Sequence, residues 1–86
     1  MNDIQKIIDY YGEDLQLTQV IEELSELTKE VCKYLKGSDS HEQITEEIAD
    51  VLLMIEQLII ICGLNHSDIT KIMQEKLERT LQRIKK

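Results

Sequence analysis

Two short acidic runs contain the residues of this chain that are best suited to chemistry. Both runs separate carboxylates by three residues, and together they comprise Glu22, Glu23, Glu26, Glu46, Glu47 and Asp50. On a helix this spacing points Glu23 in nearly the same direction as Glu26, and Glu47 as Asp50. Apolar residues share the helix face of Glu47 and Asp50, and half-buried carboxylates raise one another's pKa unless a cation neutralises them. The two runs therefore predict a site for a hard divalent cation.

The donor set of this predicted site favours magnesium. Mg²⁺ prefers oxygen ligands and keeps free positions for substrate phosphates, and Mn²⁺ is a substitute for it. His41 and His66 are not spaced to join the carboxylates, which disfavours zinc, and the Glu-x-x-His pattern of carboxylate di-iron bundles does not occur. Glu-rich helices are also common on protein surfaces, so Glu22 and Glu46 fit a functional and a solvated role equally well.

Four helices are expected to position these carboxylates. The sequence has no Pro, Phe or Trp and only three Gly, which favours an all-α fold over a many-stranded sheet. Apolar residues recur at helical spacing between the glycines. The predicted helices cover about residues 3–11, 15–36 and 41–62, and a fourth begins at a cap on Asn65 or Ser67 and extends to Ile84.

The second and third helices are predicted to form an antiparallel hairpin. Residues 38–40 are the only connection between them, and a connection this short allows only an antiparallel return. At a rise of about 1.5 Å per residue, Glu26 lies about 16 Å before this connection and Asp50 about 15 Å after it. The hairpin would thus bring both pairs of carboxylates to one height, where all four can converge.

The third helix is apolar nearly all round after Ala49, which is typical of a helix at the centre of an assembly. A chain of 86 residues has too few other helices to cover it completely. The predicted architecture is a small four-helix bundle that is built on the hairpin and completed by homo-oligomerisation, as a dimer or a tetramer.

Composition and charge exclude several classes of function. The length predicts a single domain over residues 1–86, and the net charge of −7 argues against nucleic-acid binding. The most apolar segment, residues 51–62, is shorter than the roughly 20 residues that span a bilayer, so no membrane contact is expected. Cys32 and Cys62 have no metal-type spacing and are predicted to be buried free thiols in a reducing compartment. Because signal-peptide features are also lacking, a cytoplasmic location is expected.

The acidic pattern resembles the MazG-like branch of the all-alpha nucleoside triphosphate pyrophosphohydrolases. This resemblance covers residues 19–83 and consists of EExxE, twenty intervening residues, and ExxD followed by an apolar stretch. It implies a MazG-like all-α domain in which four carboxylates bind Mg²⁺ ions, and these ions bind a triphosphate. The implied metal ligands are Glu23, Glu26, Glu47 and Asp50.

The same resemblance assigns a role to the basic end of the chain. In that family a later helix carries a Lys-x-x-x-Asn-x-x-Arg signature near the phosphates, and this chain has Lys76 and Arg83 with Thr80 in place of the Asn. The implied activity is hydrolysis of a nucleoside triphosphate to its monophosphate and pyrophosphate, for example in nucleotide-pool house-cleaning. Glu22 or Glu46 would orient or deprotonate the attacking water. A neighbouring subunit is expected to close the base or sugar side of the pocket.

A second class of function also fits the sequence. It is a non-enzymatic helical oligomer with a regulatory or partner-binding role, which the small size of the chain and Thr80 both allow. If the chain is an enzyme, we expect Mg²⁺ to stabilise it against heat and Glu47→Gln to abolish this effect. If it is a non-enzymatic oligomer, we expect little response to the metal. The sequence contains no recognisable base-reading motif.

Overall fold

The chain is all-helical over the residues that the structure describes. The computed structural model describes residues 3–85, and no strand occurs within that range. The helices are α1 (Asp3–Tyr11), α2 (Glu13–Leu35), α3 (His41–Ile61) and α4 (His66–Ile84). The predicted all-α class with four helices is confirmed, and the expected helix ends differ from the observed ones by no more than two residues.

Local signals in the sequence explain where two of the helices end or begin. Gly37 follows α2 with a φ of 94°, a left-handed conformation that only glycine adopts without strain, and the Ser38 amide donates back to the Lys33 carbonyl at 3.1 Å. At the start of α4, the Asn65 side chain accepts a hydrogen bond from the Ser67 amide at 2.8 Å. Asn65 is therefore the cap of α4, and it satisfies one of the unpaired amides of the first turn.

Helices α1, α2 and α3 pack against one another. Their buried apolar side chains are Ile8, Val20, Val51, Met54 and Ile59. Gln16 Nε2 donates to Gln57 Oε1 at 2.7 Å, and this bond joins the start of α2 to the end of α3. The rings of Tyr34 and His41 meet edge to face with centroids 5.7 Å apart, and this contact joins the end of α2 to the start of α3.

Helix α4 is placed differently, because it has no extended contact with another helix within residues 3–85. Its start is tied to α3 by His66 Nε2, which lies 2.9 Å from Glu56 Oε1. The radius of gyration is 16.0 Å, whereas a compact chain of this length has about 12 Å. One chain therefore packs three of its helices and does not build a four-helix bundle alone.

The cysteines correct one expectation. Cys32 and Cys62 are free thiols as predicted, but both are exposed and not buried. They lie near the ends of α2 and α3, and α4 does not fold back to cover either position. Within residues 3–85, no helix combines the length and the apolar character that crossing a membrane requires.

Candidate functional site

Three carboxylates from two helices meet at one point. Glu23 comes from α2, and Glu47 and Asp50 come from consecutive turns of α3. One oxygen of each residue lies within 4.8 Å of an oxygen of the other two. Glu23 and Glu47 are half-buried, and Asp50 is exposed, although the sequence had placed it on an apolar face. Within residues 3–85, no other group of three or more His, Cys, Asp or Glu side chains is close enough to hold a metal ion.

The contacts between α2 and α3 explain why these carboxylates meet. Glu47 and Asp50 lie on one face of α3 because residues three apart are neighbours on a helix. Seven residues separate Gln16 from Glu23 on α2, and seven separate Asp50 from Gln57 on α3. The hydrogen bond between Gln16 and Gln57 therefore sets a register in which Glu23 lies beside Asp50.

The three carboxylates lie close together and are partly buried, so their negative charges repel one another. The pKa of Glu23 lies above its ordinary value of 4.5, first because burial disfavours the charge and then because Asp50 and Glu47 repel it. Glu47 Oε2 is buried and makes no hydrogen bond. A buried carboxylate oxygen without a partner is costly, and a bound cation would supply that partner. The donor set consists of carboxylate oxygens alone, which fits a hard divalent cation such as Mg²⁺.

The structure brings together three of the four predicted metal ligands, and Glu26 is not among them. At about 100° per residue, Glu26 lies about 60° round α2 from Glu23. Asp50 has the same spacing from Glu47, so the way in which α2 is rotated against α3 decides that Glu26 stays outside the group, and its side chain is exposed. Glu22 and Glu46, the two predicted catalytic carboxylates, are also exposed and lie next in sequence to Glu23 and Glu47.

A cleft of about 380 Å³ adjoins the three carboxylates. Glu23 and Asp50 line part of it, and α1 supplies Ile7 and Tyr11 to another part. Its remaining lining comes from α2 and α3 and consists of three apolar side chains and three glutamines, Leu15, Leu53, Met54, Gln16, Gln19 and Gln57, and most of the exposed surface of the whole cleft is apolar. This volume is within the range of small-molecule sites. The cleft therefore places a largely apolar space directly beside the three carboxylates.

The buried amides of Gln16 and Gln57 are the part of this cleft that sequence reasoning missed. Their relative exposures are 5% and 3%, although glutamine is ordinarily a surface residue. Gln57 carried a usable signal, because it is a polar residue within the apolar stretch of α3. Gln16 carried none, since a polar residue next to Leu15 is ordinary in an amphipathic helix.

The predicted phosphate-binding residues, Lys76 and Arg83, lie together on α4 and outside this cleft. They line a separate depression of about 280 Å³ with Arg79 and Thr80. The Thr80 hydroxyl donates to the Lys76 carbonyl at 2.9 Å, so it is engaged within its own helix. Lys76 and Arg83 thus line one depression, and neither of them lines the cleft of the carboxylates in the single chain.

Comparisons with known proteins give no relative for this chain. No protein-family model matches the sequence, and neither a curated protein nor a solved structure matches it.

Proposed function

We propose that this chain is a Mg²⁺-dependent nucleoside triphosphate pyrophosphohydrolase of the MazG-like type, which releases a nucleoside monophosphate and pyrophosphate. The observation that carries this proposal is the meeting of Glu23, Glu47 and Asp50 within 4.8 Å. In the sequence these residues have the order and spacing of the acidic pattern that the family uses. House-cleaning of the cytoplasmic nucleotide pool is the role that such an activity would serve.

The carboxylates would hold the cation. Glu23, Glu47 and Asp50 would bind it directly, and Glu26 would join them from the next turn of α2. Mg²⁺, or Mn²⁺ in its place, would neutralise phosphate charge and lower the pKa of a bound water. The buried Oε2 of Glu47 supports this assignment, because a cation would provide the partner that this oxygen lacks within residues 3–85.

One of two further carboxylates of this chain would accept the proton of the attacking water. Glu22 and Glu46 are exposed and directly precede Glu23 and Glu47 in the sequence. One of them would accept a proton while the water oxygen bonds to the α-phosphorus. The bond between that phosphorus and the bridging oxygen breaks, and pyrophosphate leaves with the electron pair.

A homo-oligomer would bring the basic helix to the carboxylates. Residues 1–65 contain fourteen acidic and four basic residues, for a net charge of −10, whereas residues 66–86 contain three acidic and six basic residues, for a net charge of +3. Opposite charges of this size favour contact between α4 of one copy and the acidic helices of another. Lys76 and Arg83 would then contact the triphosphate or the leaving pyrophosphate.

Exposed apolar faces support the same assembly. On α3, Ile48, Leu52 and Ile55 are exposed at a spacing that puts them on one face. On α4 the exposed apolar side chains are Ile72, Met73, Leu77, Leu81 and Ile84. Contiguous apolar faces of this kind mark sites of protein contact. In the proposed dimer or tetramer, α2 and α3 act as an antiparallel hairpin that a second copy covers.

Release of pyrophosphate tests the proposed activity. The substrates are a panel of canonical and modified nucleoside triphosphates with Mg²⁺ or Mn²⁺, and the variants are Glu47→Gln and Asp50→Asn. We expect wild-type release to fall by about 10²-fold or more in both variants, because each loses a charged metal ligand. Glu42→Gln is the matched control, since it makes the same change at an exposed position in the first turn of α3.

The thermal response to Mg²⁺ gives an independent measure of the site. We expect Mg²⁺ to raise the Tm of the wild-type chain and of Glu42→Gln but not that of Glu47→Gln. This result would support metal binding at the carboxylates. If folded and oligomeric protein releases pyrophosphate from no nucleotide, the proposed activity is rejected.

The exposed apolar stripe of α4 also favours a second candidate, a non-enzymatic helical oligomer that acts as a regulatory or partner-binding protein. Its stripe would then serve protein contact alone, and the carboxylates would have no substrate. Such a protein would form an oligomer, show little change of Tm with Mg²⁺ and release no pyrophosphate. The two measurements above separate the two candidates.

A further inference from the structure

The cleft beside the carboxylates contains a polar pair that cation binding does not require. Gln16 and Gln57 are more than nine-tenths buried, and both line this largely apolar cleft. Gln16 Nε2 donates to Gln57 Oε1 at 2.7 Å. Burying two amides costs stability unless their donors and acceptors find partners. The single bond between them leaves polar atoms that a ligand in the cleft can satisfy.

The remaining atoms of the pair are one acceptor and one donor. Gln16 Oε1 and Gln57 Nε2 make no further hydrogen bond within the described part of the chain. The two residues are 5% and 3% exposed, and both line the cleft. Because a glutamine amide can turn by 180°, the two side chains can exchange their roles. In either arrangement the pair presents a donor and an acceptor.

We propose that Gln16 and Gln57 bind the heterocyclic base of the substrate nucleotide in this cleft. A nucleobase has a donor next to an acceptor on one edge, either N–H beside C=O or a ring nitrogen beside an amino group. The amide pair matches both edges by turning its two side chains together. The flat faces of the base would contact Ile7 and Met54, which line the same cleft.

The position of the amide pair suits a nucleotide. Seven residues along each helix, or about 10 Å, separate the amides from Glu23 and Asp50. All four side chains line one cleft. A base at the amides and phosphates at the carboxylates would thus be joined by the sugar. The inference rests on the proposed function for what binds at the carboxylates, but the base contact itself requires no hydrolysis.

Nucleosides without phosphate test the base contact in the wild-type chain. The probes are uridine, cytidine, adenosine and guanosine, and the readout is the NMR resonances of the glutamine side-chain amides. We expect at least one nucleoside to shift the resonances of Gln16 and Gln57 and to leave those of the exposed Gln43 unchanged. If no nucleoside, and no nucleoside triphosphate with Mg²⁺, shifts them, the proposal is wrong.

A double variant that removes both amides tests whether the base contact contributes to nucleotide binding. Gln16→Met together with Gln57→Met replaces both amides by side chains of similar shape, so no buried amide is left without a partner. We expect binding of the preferred nucleoside triphosphate to weaken roughly tenfold to hundredfold. Binding of inorganic tripolyphosphate, which has no base, should stay unchanged, and Gln43→Met is the matched control. Unchanged nucleotide binding in a folded double variant would overturn the proposal.

The outcomes separate this proposal from the proposed activity. Nucleoside binding by a protein that releases no pyrophosphate would reject the pyrophosphohydrolase and keep the base site. Pyrophosphate release that continues at the wild-type rate in the double variant would reject the base site and keep the enzyme.

Discussion

The packed helices α1 to α3 and the free helix α4 have similar apolar patterns but different surroundings. Met54 on α3 is 9% exposed, whereas Met73 on α4 is 63% exposed. Both are methionines on the apolar stripe of a helix, yet only Met54 has neighbours within its own chain that cover it. The difference shows that periodicity predicts which face of a helix will be buried, but not which surface buries it.

The two regions also differ in charge and in chemistry. The packed region carries the carboxylates and the cleft, and α4 carries Lys76 and Arg83. Cation ligands alone would bind a metal, and basic residues alone would bind an anion, but hydrolysis of a triphosphate uses both. In the proposed oligomer each region supplies what the other lacks.

Disrupting the apolar face of α4 should have the largest effect. Leu77→Glu puts a charge in the middle of the exposed stripe, and a charge buried without a partner is costly. We expect the oligomer to be lost at micromolar concentration in sedimentation velocity. Gln82→Glu adds the same charge about 140° round the helix and should leave the oligomer intact. An oligomer that survives Leu77→Glu would exclude this face as the interface.

The same truncation at the two methionines should give unequal losses of stability. In the Leu77→Glu background, Met54→Ala should lower the free energy of unfolding by about 2–5 kcal/mol, because it leaves a cavity among packed helices. Met73→Ala should lower it by less than about 0.5 kcal/mol, because the side chain is exposed. Urea unfolding measures both, and equal losses would show that α4 is packed in the single chain.

Removing the cations of α4 should lower activity and leave the metal site unchanged. We expect Lys76→Gln and Arg83→Gln each to reduce pyrophosphate release roughly tenfold to hundredfold, because a charge-assisted contact to phosphate is lost. The Mg²⁺-induced rise in Tm should stay at the wild-type value. Lys71→Gln, on another face of α4, is the control.

Mixing two variants of reduced activity tests whether a site combines two copies. In an oligomer of Glu47→Gln with Lys76→Gln chains, one site would pair intact carboxylates with an intact α4 from the other chain. We therefore expect mixing to restore part of the pyrophosphate release. If the mixture releases no more pyrophosphate than the two variants do separately while mixed oligomers form, each site takes both regions from one chain.

The smallest expected effect is a pH dependence of stability in the packed region. The pKa of Glu23 in the folded chain lies above its ordinary value of 4.5. Between these two pKa values the folded state keeps a proton on Glu23 that the unfolded state releases. The contribution of this proton to stability is therefore fully present below pH 4.5 and is lost as the pH rises through the pKa of Glu23 in the folded chain. Urea unfolding of the metal-free protein should show this decline, and Glu23→Gln should reduce it. Equal declines in both proteins would contradict the assignment to Glu23.

Local features of the fold were predictable because they depend on neighbours in the sequence. The helix ends followed from signals such as Gly37 and the Asn65 cap, which act within a few residues. The pairing of Glu47 with Asp50 followed from a spacing of three residues on one helix. The amides of Gln16 and Gln57 are 41 residues apart, so no local rule could have paired them.

The sequence by itself determined the four helices, the acidic character of the first 65 residues and the presence of a carboxylate pair on α3. Helix geometry and composition carry that information, and neither depends on how the helices pack. Only the tertiary structure decided that Glu23 joins this pair while Glu26 stays outside it, and that an amide pair lines the cleft beside them. These outcomes depend on the rotation and register of α2 against α3, where a shift of one residue turns a side chain by about 100°.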